Sequence, residues 1–158
     1  MILNRQRRVR VSIDDLEKFS ARVRKLLKIP ADAVTICLVS SADIAKWNRA
    51  YRGKNKPTDV LSFTTDEPSA KQRVRKLPRR RTSAKSDDGA SRPYWGDIAI
   101  APTIARQNAR RFGRELDDEL RILILHGILH LMGYDHETDR GQMERREICL
   151  RRQLGLAR

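Results

Sequence analysis

The chain has 158 residues, enough for one domain with a sizeable core, and carries a formal net charge of +14 with a sequence pI near 10.7. It holds no apolar run long enough to span a membrane and no N-terminal stretch of signal-peptide type. Its two cysteines, Cys37 and Cys149, lie too far apart to suggest a disulfide framework, so a reducing cytoplasm is the expected setting. The basic excess points to a polyanionic partner, nucleic acid before any other, although a basic surface that only aids solubility has the same sum.

From the N-terminus, Arg8 to Ile13 alternate polar and apolar and predict a half-buried strand. Asp14 and Asp15 suit a helix start. Ile13, Leu16, Phe19, Val23, Leu26 and Leu27 form the stripe of that helix, which ends by Pro30. Val34 to Val39 is a short β-branched run and predicts a buried strand, with Cys37 a small core hydrophobe. Ser41 is the expected N-cap of a second helix with Ile44, Trp47, Asn48 and Tyr51 inward, closed by Gly53. Thr58 to Phe63 predicts a third strand and Gly96 to Ala101 a fourth.

Between these two strands, residues 68–93 hold nine basic side chains against Asp87 and Asp88, a surplus equal to half the net charge. Few apolar residues are present to pack, which predicts a mobile loop. Arg73, Arg75, Arg79, Arg80 and Arg81 are its candidate contacts to RNA or DNA phosphates; an insertion with no specific role has the same composition.

Pro102 suits the first turn of a helix that Gly113 stops. The next helix, from about Glu115 to Met132, is apolar nearly all round and so is predicted to be buried. Thr138 or Asp139 would cap a last helix through Met143, Ile148 and Leu154, ending at Gly155. The expected fold is α+β (α/β): one domain over 1–158, with a small mixed sheet of about four strands packed by helices.

All three histidines, His126, His130 and His136, fall within eleven residues of the buried helix and its exit. Side chains four apart share a helix face, so His126 and His130 can converge on one ion. Gly133 is suited to end the helix in a left-handed conformation and return His136 as a third ligand. Neutral imidazole is the commonest zinc ligand, and three protein ligands leave one tetrahedral position open, as catalytic sites do. The pattern H-G-x-x-H-x-x-G-x-x-H is therefore read as a metal site on a zincin-like helix.

The run His126 to His136, together with Tyr51 to Phe63 and Gly96-Asp97-Ile98, resembles the YbeY family of bacterial zinc-dependent endoribonucleases over nearly the whole chain. Thr64, where the family usually has proline, and the long basic segment depart from its pattern. The resemblance implies one zinc ion on His126, His130 and His136 and a functionally important Arg52. It further implies single-stranded RNA as substrate, and roles in ribosomal RNA maturation, notably of the small subunit, and in ribosome quality control.

Gly127 stands where peptidases with this histidine spacing carry their general-base Glu, which disfavours peptide hydrolysis. A metal ion acidifies its bound water without such a base. Arg52 suits a phosphate through its bidentate fork, or else bonds carbonyls at a helix end. Asp135 either orients a ligand or water, or caps a turn. Three functions are thus weighed: a metal-dependent endoribonuclease, a zincin-type metallopeptidase, and a non-catalytic ribosome-assembly factor with a structural zinc.

Overall fold

Four short runs build the sheet: β1 (Ile2–Asn4), β2 (Val34–Leu38), β3 (Val60–Thr64) and β4 (Gly96–Ile100). The computed structural model describes residues 1–65 and 94–156, so the basic segment with Arg73, Arg75, Arg79, Arg80 and Arg81 lies outside it. The spatial order is β1-β2-β4-β3, with β1, β2 and β4 parallel and β3 antiparallel on β4. Successive side chains alternate faces. Ile36, Leu38, Ile98 and Ile100 enter one apolar cluster; Cys37, Leu61, Phe63 and Ala99 enter the other.

Five helices accompany this sheet among the described residues: α1 (Ile13–Leu27), α2 (Ser41–Arg52), α3 (Pro102–Arg111), α4 (Leu116–Leu131) and α5 (Gln142–Leu154), with α3 and α5 packed on α4. Helices α1 and α4 bury Leu16, Phe19, Leu120, Ile124 and Ile128 against the first face. Helix α2 brings Ile44, Trp47 and Tyr51 to the second. The result is the α+β arrangement with a four-stranded mixed sheet that the patterning predicts. Helix α4 is buried on nearly every side, with Leu120, Ile124, Leu125, Ile128 and Leu129 all 0 % exposed. Each such side chain contributes about 1.5–3 kcal/mol of transfer free energy, which anchors the helix that carries the histidines.

Three local expectations are corrected. No strand forms at Arg8–Ile13, although the alternation in burial is real: Val9 is buried, Arg8 and Arg10 are exposed. The Val9 N–H donates to Gln6 Oε1 at 2.9 Å, and its carbonyl accepts from Gln6 Nε2 at 2.8 Å. A side-chain amide thus stands in for a neighbouring strand. The edge strand is instead β1, too short to display a period of two. Helix α2 is capped by Ser40 rather than Ser41, its Oγ accepting from the Asp43 N–H at 3.1 Å. In α5 the buried face is Met143, Glu147, Leu150 and Leu154, while Ile148 is 43 % exposed.

Candidate metal centre

Helix α4 approaches the sheet closely at Gly127. A Cβ there would lie 2.7 Å from Ile98 Cγ2, and the Gly127 carbonyl accepts a hydrogen bond from Ser62 Oγ at 3.2 Å. Gly127 therefore faces the sheet. Any side chain at the position next to the first histidine, the peptidase Glu included, would have to displace Ile98. On the half-buried flank of the same helix, His126 and His130 bring their Nε2 atoms to 3.1 Å. Two nitrogens bound 2.0–2.1 Å from a tetrahedral ion lie about 3.3 Å apart, so this spacing fits a shared zinc-sized ion.

The helix then stops as expected. Gly133 takes φ +93°, and the Tyr134 N–H returns to the Leu129 carbonyl at 3.1 Å. Asp135 folds the next turn: its carboxylate accepts the Glu137 N–H at 3.0 Å and the Thr138 hydroxyl at 2.9 Å. Those two bonds hold its carboxyl below the usual range, and they make Asp135 a turn cap. The turn delivers His136, whose ring centroid lies 5.3 Å from that of His126 and 5.1 Å from that of His130. One nitrogen from each of the three rings lies within 4.8 Å of the others, and His136 is exposed. Among the described residues no fourth histidine, cysteine or carboxylate joins the group. The donor set and its spacing fit one divalent ion with a side open to solvent.

The electrostatics favour ligation. Burial, with His126 and His136 close by, pushes the His130 pKa down and keeps its imidazole neutral, the form that binds metal. His126 Nδ1 lies 2.9 Å from Glu147 Oε2, and Arg151 pairs with the other carboxylate oxygen. Burial alone would raise the Glu147 pKa. The His126 hydrogen bond and the Arg151 charge outweigh it and leave the carboxyl below its ordinary value. An ionised Glu147 holds a proton on Nδ1 of His126 and so frees the Nε2 lone pair.

Arg52, the last residue of α2, does not turn back on its own helix carbonyls. Its guanidinium reaches Glu137, next to His136, at 2.8 Å, and Lys54 reaches the same carboxylate at 3.7 Å. Arg52 is thus brought to the histidine loop. Sequence reasoning missed both Glu137 and Glu147. The first carried no local signal. The second did, because a charged residue on the apolar stripe of a helix is anomalous unless it has a buried partner.

A family model described as Endoribonuclease YbeY matches residues 1–155. A protein named Endoribonuclease YbeY from Koribacter versatilis (strain Ellin345) is 40% identical over 99% of this chain and 86% of its own length. Another of that name, from Sulfurovum sp. (strain NBC37-1), is 32% identical over 98% of this chain and 90% of its own. The solution structure of TM1509 from Thermotoga maritima superposes with a TM-score of 0.58 at 27% identity, covering 98% of this chain and 89% of that one.

Proposed function

The chain belongs to the endoribonuclease YbeY family, and on that premise we propose that it cuts single-stranded RNA using one zinc ion held by His126, His130 and His136. Its role is in ribosomal RNA maturation in the cytoplasm, at the 3′ end of the small-subunit 16S RNA, and in ribosome quality control. The observation that supports this most is the trio of imidazole nitrogens within 4.8 Å of one another, with one member exposed. The net charge of +14 suits a polyanionic substrate and a ribosomal partner.

When bound, such an ion polarises a phosphodiester oxygen and acidifies water near neutral pH. The chain's own groups do the rest. Glu147 holds the His126 proton on Nδ1 and keeps the ring facing its two fellows. Arg52 supplies the fork for a non-bridging phosphate oxygen pair, exchanging Glu137 for the substrate. Gly127 occupies the position after His126 where the peptidases carry their glutamate, so the peptidase mechanism lacks its base there. The basic residues Arg73, Arg75, Arg79, Arg80 and Arg81 add phosphate contacts along the same strand.

Untagged protein is incubated with labelled single-stranded RNA, with duplex RNA and with casein, with and without chelator. Chelator-sensitive cleavage confined to single-stranded RNA, abolished by His126→Ala and by Arg52→Ala, is the expected result. Casein cleavage would favour a peptidase. Intact ribosome binding with no cleavage would favour an assembly factor with a structural zinc.

A further inference from the structure

Two cavities flank the histidine loop. The smaller, about 500 Å³, is polar and basic, lined by Arg52, Lys54 and Lys56 together with Asn48, Asn55, Pro57 and Thr58. The larger, about 750 Å³, lies between α5 and the histidines. It opens on His126 and His136, and Arg52 is not part of its lining. Its volume is within the roughly 300–1,000 Å³ typical of small-molecule sites. Met143, Ile148 and Leu156 give it an apolar floor, and Arg152 stands exposed on its rim. The large apolar side chains left exposed among the described residues are Met1, Leu26, Phe112 and Ile148; of these, Ile148 lines this groove.

An exposed apolar side chain buries the face of an unstacked nucleobase, and a neighbouring cation pairs with its phosphate. We propose that this groove seats the nucleotide adjoining the scissile phosphate, its base on the exposed Ile148 and its outer phosphate on Arg152. This rests on the nuclease reading and extends it. The strand then runs from the Arg52, Lys54 and Lys56 basin, past the three histidines, into the groove along α5. Glu144 lies on the groove wall, exposed, where it repels a phosphate and accepts from an exocyclic base amine. The bound segment is single-stranded because a base held on the floor is splayed out of any duplex.

The test uses the full chain with Ile148→Ser and Arg152→Gln. Both sites are exposed on α5, so both variants fold. Binding of a labelled single-stranded oligonucleotide is measured by anisotropy in chelator across a salt series, and cleavage and zinc content are measured separately. Ile148→Ser is expected to weaken binding about five- to tenfold with an unchanged salt slope. Arg152→Gln is expected to weaken it and reduce the slope of log K against log salt by about 1. Zinc content stays that of the unsubstituted chain in both. Unsubstituted protein that cleaves RNA, with both variants matching its affinity and slope, overturns the groove. Absence of cleavage by the unsubstituted protein overturns the nuclease reading, and the groove with it.

Discussion

Replacing Glu147 with leucine removes the acceptor of the His126 Nδ1–H, 2.9 Å away, and strips Arg151 of its carboxylate. Partners that orient a metal-bound histidine typically contribute about 10–100-fold in metal affinity, or roughly 1.4–2.7 kcal/mol. A fold penalty comes in addition. Breaking a fully buried pair costs about 3–5 kcal/mol. The Arg151 side chain keeps 21% of its exposure and can turn to water, which lowers the expectation to roughly 1–3 kcal/mol. Glutamine separates the two effects, since its amide oxygen still accepts from Nδ1–H but carries no charge. Zinc affinity is measured by competition with a fluorescent chelator, and stability by urea unfolding of metal-free protein. Leucine is expected to lose zinc affinity by about 10–100-fold, with glutamine recovering most of it. The Glu147 carboxyl titrates below its ordinary 4.5, so its stabilising contribution is complete above that value and fades as pH falls through the folded pKa. The glutamine variant lacks that fading component. A leucine variant that binds zinc as tightly as the unsubstituted chain would refute the orienting role.

Further outcomes follow from the same geometry. Gly127→Ala is expected to destabilise by up to about 2 kcal/mol, because overpacking of about 1–3 kcal/mol against Ile98 at 2.7 Å opposes a roughly 1 kcal/mol gain in helix propensity. In an Ile98→Ala background the clash is gone and the same substitution should stabilise by up to about 1 kcal/mol in a urea double-mutant cycle, whereas additive losses would refute the contact. Glu137→Gln frees Arg52 and Lys54 from a pair with half-exposed side chains, so KM for single-stranded RNA should fall by up to about fivefold with kcat unchanged. A rise in KM would show instead that Glu137 holds Arg52 in place. Zinc at about 100 times its Kd should add about 2.7 kcal/mol, a Tm rise of roughly 5–10 °C that His136→Ala abolishes. Burial pushes the Cys37 thiol up to about 11 while Cys149 is exposed, so a thiol reagent at pH 8 should titrate one cysteine in the native chain and two in urea.

Features set by neighbours along the chain were legible in the sequence. Imidazoles four apart on a helix, a glycine at φ +93° and a returning third histidine depend only on helical periodicity and backbone freedom, and the three side chains meet as that spacing requires. Continuous apolar character likewise marked α4 as buried. The Arg8–Ile13 alternation misled because a glutamine side chain satisfies a backbone as well as a strand does, and periodicity cannot tell the two apart. Only tertiary packing decided the surroundings of the histidines. Glu147 meets His126 across 21 residues, and Arg52 meets Glu137 across 85. Gly127 is dictated by Ile98 of a different element, a constraint of space that no spacing along the chain expresses. Local spacing determines which side chains share a face, whereas close packing between elements determines what stands opposite that face.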